Sequence, residues 1–462
     1  MKSTFLSLML TILLATPCLI QAQDDPDAQY IRENYTKLER QIPVRDGVRL
    51  FTSIYMPKDM SQPYPIMLQR TPYSVRPYGE DYKTRIGPSM LFAREGYIFV
   101  YQDVRGKMMS EGEFEAVRPH NPNKKSKTDI DESTDTYDTV AWLLENIPNN
   151  TGRVGVWGVS APGFYATHTI IDAHPAIKAV SPQAPVTDWW MGDDRHHNGA
   201  FQLQATFSFL SSYGRPRPEP TSQSLGGYRD YGTPDGYLWY LNLGPLSEVN
   251  KKYFHGKNKI WEDMVNHPNY DAFWQARTPL PHLKNVQPAV MVVGGLFDAQ
   301  DLYGPLKTYA AIKKYNPDAV NHLVMGPWRH GGWARRDGER YQDIYFGQKT
   351  AVYYRGEIEL PFFNHYLKDK PDPGLSEATI FLTGSNQWRT FDQWPPKEVT
   401  PKSLYLQPNG DLSFDAPTGT DDYEAYISDP AKPVPHTSKI VIRRDDRYVI
   451  QDQRFASTRP DV

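Results

Sequence analysis

Ser160 stands in Gly158-Val159-Ser160-Ala161-Pro162-Gly163, between one apolar run at 154–157 and a second beginning at Phe164. A serine between glycines, where a strand gives way to a helix, is the outline of a nucleophile turn. The glycines relieve a crowded backbone, and the hydroxyl stands exposed beside the N-terminus of the next helix. The spacing departs by one residue from Gly-x-Ser-x-Gly, because Ala161 and Pro162 separate Ser160 from Gly163. Pro162 falls in the first helical turn, where its missing N–H costs little. An ordinary glycine loop has the same composition, so the serine needs partners: a base, and a carboxylate to orient the base. Asp298 follows the apolar run 288–295, and His330 follows the next one, 321–328. Singly, they read as well as a loop-capping aspartate and a buried histidine. In the order Ser160, Asp298, His330, each just past a strand, they compose a triad for attack on a carbonyl carbon.

The elements that must position these residues are legible in outline. Asp46-Gly47 separates two alternating runs, which predicts a hairpin. Residues 65–73 and 97–106 are apolar runs ending in polar loops. The stretch 131–147 opens on Asp and Glu and spaces Val140, Leu143 and Leu144 as a helix does. Strand, serine turn, helix and strand follow to Val186, the alternation of a parallel α/β sheet. It stops over 187–285, rich in Tyr, Trp, Pro and His, and resumes over 286–372. The expected organisation is an α/β domain (23–186 and 286–372), a helical cap inserted at 187–285, and a β-rich unit at 373–462. That unit draws strands from 378–384, 402–414 and 439–444.

Composition narrows the classes of function. The chain has 462 residues, enough for two or three domains. A net charge of -3 with both signs interspersed leaves no basic face for nucleic acid. Residues 1–22 read as a secretory leader: a lysine, an apolar run broken by Pro17, then Ala22 before acidic residues. Secretion or a periplasmic location is therefore expected, with no membrane span after cleavage. The one cysteine, Cys18, lies in this leader, so the mature chain has no disulfide, thiol nucleophile or cysteine–zinc site. Asp193-Asp194-Arg195-His196-His197 has metal-binding residue types, but adjacent histidines rarely share an ion and no second cluster answers it. No metal or other cofactor is expected. Trp189, Trp190 and Trp328 either line an acyl pocket or belong to the core.

The motifs "RTPY", "DVRG", "GVSAPGF", "PVTDWWMGDD", "GLFDAQDLYG", "GPWRHGG" and "QRFASTRPDV" together resemble one family over nearly the whole chain. It is the bacterial serine hydrolases grouped with cocaine esterase, α-amino acid ester hydrolases and X-prolyl dipeptidyl peptidases. The resemblance implies an α/β-hydrolase core, a helical cap and a C-terminal jelly-roll, with the triad at Ser160, Asp298 and His330. It implies an oxyanion hole made by the Tyr73 hydroxyl and the Ala161 N–H, whose physical alternative for Tyr73 is an aromatic in a proline turn. It also implies that Asp194, Gln300 and Asp301 hold a substrate ammonium, the physical alternative for Asp194 and Asp301 being loop solvation and helix capping. Here Gln300 stands where that site has glutamate, and Ala161 where the family usually has tyrosine. A jelly-roll needs about eight strands and the segment after Pro373 offers about half, so an incomplete one is expected.

The expected activity is hydrolysis of esters or amides of small acyl groups through an acyl-enzyme on Ser160. Substrates would be small esters, amides or peptides, and a homo-oligomer is left open. An X-prolyl dipeptidyl peptidase and a simple carboxylesterase are the enzymatic alternatives. A binding protein built on an inactive hydrolase core is the alternative from another class.

Overall fold

In the computed structural model the described residues are 25–457, apart from 420–422, 424 and 426. The leader reading at 1–22 and the last residues of the "QRFASTRPDV" motif lie outside them. Ten strands form one sheet: β1 (Tyr35–Pro43), β2 (Arg49–Pro57), β3 (Tyr64–Thr71), β4 (Ile98–Asp103), β5 (Asn150–Val159), β6 (Ile177–Gln183), β7 (Ala289–Gly295), β8 (Asn321–Gly326), β9 (Ala378–Leu382) and β10 (Gln387–Phe391). Their spatial order is β1-β2-β4-β3-β5-β6-β7-β8-β9-β10. The β1–β2, β2–β4 and β9–β10 pairs are antiparallel, and every pair from β4 to β9 is parallel.

Parallel strands need long crossovers, and helices supply them on both faces. The strands read as continuous apolar runs because both faces are covered. In β7, Val290 and Val292 face one core layer while Met291 and Val293 face the other. The first layer holds Val140 and Leu143 of helix α1 (Glu132–Asn146), Ala166 and Ile170 of α2 (Ala161–Ile170), and Tyr309 and Ile312 of α3 (Tyr303–Tyr315). The second holds Phe362, Phe363 and Leu367 of α4 (Leu360–Lys368). The acidic start of α1 is a reciprocal cap: the Thr134 N–H donates to the Asp131 carboxylate at 2.9 Å, and the Asp131 N–H to Thr134 Oγ1 at 2.9 Å. The helical stretch from Thr350 to Lys368 is interrupted by wide π-turns at Tyr354–Glu359. Pro361 cannot donate to the Glu357 carbonyl and crowds it, and a wider turn just before the proline relieves that contact.

Between β6 and β7 the chain forms five short helices, from Leu203–Tyr213 to Ala272–Gln275, with an aromatic core of their own. Phe207 meets the rings of Tyr228, Trp239, Tyr253, Phe254 and Trp261. The aromatic-rich composition of 187–285 is thus the packing of a cap too thin to bury aliphatic layers.

The C-terminal part differs from the sequence reading. Residues 378–382 join the main sheet instead of a separate β-unit: β9 lies parallel to β8, pairing Ala378 with Leu323, and β10 closes the edge. The reason is that α4 is the crossover a parallel strand needs, and that residues 378–381 are buried. Residues 402–414 form only the two-residue pair Tyr405–Leu406 and Leu412–Ser413. Residues 439–444 make no strand, and Ile440 is 70% exposed. Among the described residues after Phe391 that pair is the only β-structure, so the expected jelly-roll is not formed by them. An alternating sequence makes a strand only where a neighbouring strand is placed to pair with it.

Candidate active site

The tight turn after β5 is where the glycine spacing finds its reason. Ser160 has φ 69° and ψ −127°, in a region that non-glycine residues avoid. A Cβ on Gly158 would come within 2.2 Å of the Pro162 carbonyl oxygen. A Cβ on Gly163 would lie 2.7 Å from the Gln183 carbonyl oxygen and 2.8 Å from Pro185 Cα. Gly163 therefore performs the close helix–strand approach from one position later than usual. The Ser160 N–H donates to the Gln183 carbonyl at 2.9 Å and the Phe164 N–H to the Ser160 carbonyl at 3.0 Å, which locks the turn between β6 and α2. Ala161 is the first residue of α2, where a backbone N–H has no intrahelical acceptor.

Asp298 and His330 come from the loops after β7 and β8. Those loops are tied together: the Phe297 N–H donates to the Trp328 carbonyl at 3.0 Å and the Leu296 N–H to the Gly326 carbonyl at 2.8 Å. Asp298 Oδ1 accepts the N–H groups of Gln300 at 2.8 Å and Asp301 at 3.1 Å. Its Oδ2 lies 2.8 Å from His330 Nδ1. Burial works against the Asp298 charge, but the charge and hydrogen bond of His330 and those two N–H groups bring its pKa below the usual carboxylate value. The converse holds for His330: burial disfavours the imidazolium, yet Asp298 raises its pKa overall.

Asp301 is fully buried and stands between these groups. Its Oδ2 accepts the Ser160 hydroxyl at 3.3 Å and lies 3.8 Å from His330 Nε2, while its Oδ1 has no hydrogen-bond partner. Burial, then the charges of Asp194, Asp193 and Asp298, raise its pKa well above the ordinary value. Asp194 is held at φ 57° with its N–H on the Gln300 carbonyl at 3.0 Å. Its Oδ2 pairs with Arg195 Nη2 at 3.1 Å. Gln300 thus joins the group through its main chain. Arg195 is the residue that sequence reasoning missed. It lies 4.3 Å over the Phe209 ring and places a fixed positive charge in an otherwise acidic group. Its neighbours in "MGDDR" give only a residue type, not a partner.

Tyr73 reaches the same point from the loop after β3. Buried Arg70 anchors that loop, donating to Gln102 Oε1 at 2.9 Å and to the Glu132 carbonyl at 2.9 Å. Burial, then the charges of Asp194 and Asp301, push the Tyr73 pKa up; Arg195 and a hydrogen bond with Ser160 pull the other way. Asp193 and His196 of the metal-like run are spent on structure. The Asp193 carboxylate takes the N–H groups of Thr187, Asp188 and Gly304 and the Thr187 hydroxyl, and His196 Nδ1 lies 2.9 Å from the Trp189 carbonyl oxygen. Of the three tryptophans, Trp328 is core, donating to Thr350 Oγ1 at 2.9 Å. Trp190 stacks among His196, Tyr270 and Trp274, and Trp189 lines a cavity beside Tyr73.

A strained serine, a histidine paired to a buried aspartate, and a phenol on the serine oxygen form a constellation suited to acyl transfer. Comparison with known proteins agrees. The profile of the X-Pro dipeptidyl-peptidase (S15) family matches residues 46–332. Cocaine esterase of a Rhodococcus species is 27% identical over 444 residues, spanning 91% of this chain and 72% of that protein. An aminopeptidase from a marine sediment Thaumarchaeota archaeon superposes with a TM-score of 0.84 at 35% identity, over 93% of this chain and 71% of the other. An α-amino acid ester hydrolase superposes with a TM-score of 0.83 at 32% identity, over 96% of this chain and 74% of the other. The sheet order, the site and these likenesses converge: the chain belongs to the X-Pro dipeptidyl-peptidase (S15) family, with an α/β-hydrolase fold, and is a serine hydrolase of ester or amide bonds.

Proposed function

We propose that the protein cleaves esters or amides of small, preferentially α-amino, acyl groups through an acyl-enzyme on Ser160. The observation that carries this reading is that the buried Asp301 Oδ2 lies 3.3 Å from Ser160 Oγ and 3.8 Å from Nε2 of His330, whose Nδ1 lies 2.8 Å from Asp298 Oδ2. Ser160 Oγ attacks the carbonyl carbon and its proton passes to His330 Nε2, while Asp298 supports the imidazolium. The Tyr73 hydroxyl and the Ala161 N–H stabilise the oxyanion. His330 returns the proton to the leaving group, and water then releases the acyl group by the same steps. Export through the 1–22 leader belongs to the same proposal.

The amine preference follows from charge. Burial and the repulsion of its acidic neighbours raise the pKa of Asp301, with Arg195 opposing them. A substrate ammonium offsets that repulsion and allows Asp301 to ionise against it. Arg195 takes up part of the Asp194 charge, and Gln300 adds none, so the preference is modest and neutral acyl esters are accepted. Replacing Gln300 by glutamate restores a charge. Gln300→Glu is expected to raise kcat/KM for phenylglycine methyl ester about tenfold and to leave phenylacetic methyl ester nearly unchanged, a difference of about 1.4 kcal/mol. Equal responses of the two esters sink the ammonium reading.

Tyr73→Phe is expected to lower kcat by roughly a hundredfold with little change in KM, because the phenol serves the charged intermediate more than the bound ester. An unchanged kcat, measured where acylation limits turnover, removes Tyr73 from the oxyanion hole.

A further inference from the structure

A cavity of about 760 Å³ lies between the cap and the loops after β3 and β4. Neither Ser160, Asp298 nor His330 lines it, yet Tyr73 belongs to both places: its hydroxyl bonds with Ser160 and its ring faces the cavity. The wall carries seven basic and three acidic side chains, a balance opposite to that of the group around Asp301. Much of that charge is internally matched: Glu115 pairs with Arg118 and Arg277, and Asp263 with Lys259.

Lys107 and Arg217 are not matched in this way. They sit on and against the loop that follows Asp103-Val104-Arg105-Gly106, a motif to which the reaction itself assigns no role. Gly106 has φ +70° and a Cβ there would meet the Phe114 nitrogen at 2.1 Å, so the loop turns tightly and aims the next residue, Lys107, at the cap. Lys107 Nζ donates to the Tyr213 carbonyl at 2.7 Å and lies 3.9 Å over the Phe114 ring and 4.2 Å over the Tyr213 ring. Arg217 donates to the carbonyls of Gly106 at 3.1 Å, Met108 at 2.9 Å and Ser110 at 2.7 Å. An ammonium has three N–H donors and a guanidinium five, so each has donors to spare. Burial and the neighbouring charge of Arg217 push the Lys107 pKa down to about 7, and burial lowers that of Arg217. Asp103, whose charge reaches Arg217, is committed to the N–H groups of Val75 and Met109 and to the Tyr78 hydroxyl. Two cations sharing one wall repel each other, and an organic anion between them offsets that repulsion. The flanking rings of Phe114, Phe209 and Tyr213 suit the carbon skeleton of such an anion and not a bare inorganic ion.

We propose that this cavity is a subsite for a carboxylate on the leaving group, held by Lys107 and Arg217, so that the enzyme favours dipolar substrates: an amine on the acyl side at Asp194 and Asp301, a carboxylate on the departing side. The proposal rests on the hydrolase reading given above and adds the chemistry of the departing half. Short peptides with a free C-terminus and esters of hydroxy acids have that shape.

The test compares the carboxymethyl and carbamoylmethyl esters of phenylglycine, which differ in whether the leaving group carries a carboxylate. A charge-assisted hydrogen bond corresponds to about tenfold or more, so kcat/KM for the carboxymethyl ester is expected to exceed that of its neutral partner by at least that factor after correction for hydroxide-catalysed reactivity. Lys107→Met and Arg217→Gln are each expected to bring the ratio toward one, and Lys107→Arg to retain most of it. A wild-type ratio near one overturns the proposal, as does a parallel fall of both esters in the variants, the mark of a structural role. A second readout needs no turnover: acetylglycine is expected to change the tryptophan fluorescence of the wild type, through Trp189 and Trp274 in the wall, while N-acetylglycinamide is not. Equal responses, or equal displacement of acetylglycine by inorganic phosphate, overturn the carboxylate assignment. If phenylglycine methyl ester is not hydrolysed and a fluorophosphonate leaves Ser160 unlabelled, the hydrolase reading fails. The fluorescence result then still decides the cavity.

Discussion

Ser160→Ala is expected to lower kcat for ester hydrolysis by about a millionfold, the scale on which removal of a serine nucleophile acts when its base and orienting acid form one unit with it. The fold is expected to survive. The Ser160 backbone bonds to Gln183 and Phe164 do not involve the hydroxyl, and the conformation at φ 69° is no harder for alanine than for serine. The hydroxyl itself contacts Asp301 and Tyr73, groups that the proposal assigns to the reaction. The check has two parts. A fluorophosphonate should label the wild type at Ser160 and leave the variant unlabelled, and the two proteins should melt within a few degrees of each other. Residual hydrolysis above about a thousandth of wild type is incompatible with Ser160 as the nucleophile. Labelling is also what separates a hydrolase from a binding protein on an inactive core.

Asp298→Asn is expected to cost about ten-thousandfold in kcat with little change in KM, because an amide in place of the carboxylate favours the wrong tautomer of His330 and offers no charge to its cation. The pH profile carries the more specific expectation. His330 must be neutral to accept the Ser160 proton, so activity is lost as pH falls through its pKa. In the wild type Asp298 raises that pKa above the ordinary histidine value of about 6.5. Without the Asp298 charge, burial is the remaining large influence and it acts downward. The acid limb of kcat/KM should therefore lie above about 6.5 in the wild type and move to lower pH in the variant, measured on a neutral ester so that no substrate amine titrates. A limb that stays in place means that Asp298 is not the group facing the catalytic imidazole.

How much of this was legible depends on the range of the interactions involved. The turn at Ser160 was visible because strand, glycines, proline and helix start are contiguous, and the order Ser160, Asp298, His330 was visible because each follows its own strand. The meaning of the displaced Gly163 was not. It faces the Gln183 carbonyl at the end of β6 and Pro185 just beyond it, and that approach exists only once β6 lies beside α2. Likewise 378–382 is a short, mostly apolar run that suits either a separate β-unit or a strand of the main sheet. Its parallel partner β8 was chosen by the crossover through α4 and by burial, neither of which local sequence records.

The sequence by itself determined the α/β class, the inserted aromatic cap and the positions of Ser160, Asp298 and His330 each just past a strand, since periodicity and turn chemistry act over a few residues and are written where they act. Only the tertiary structure decided what surrounds the triad. It brought Asp301 between Ser160 and His330, set Arg195 against Asp194, gave Gln300 a main-chain part, and placed Lys107 and Arg217 in one wall behind Tyr73. Coulomb interactions and desolvation depend on distance and burial, and residues far apart in the chain acquire both only when the sheet and cap have closed around them.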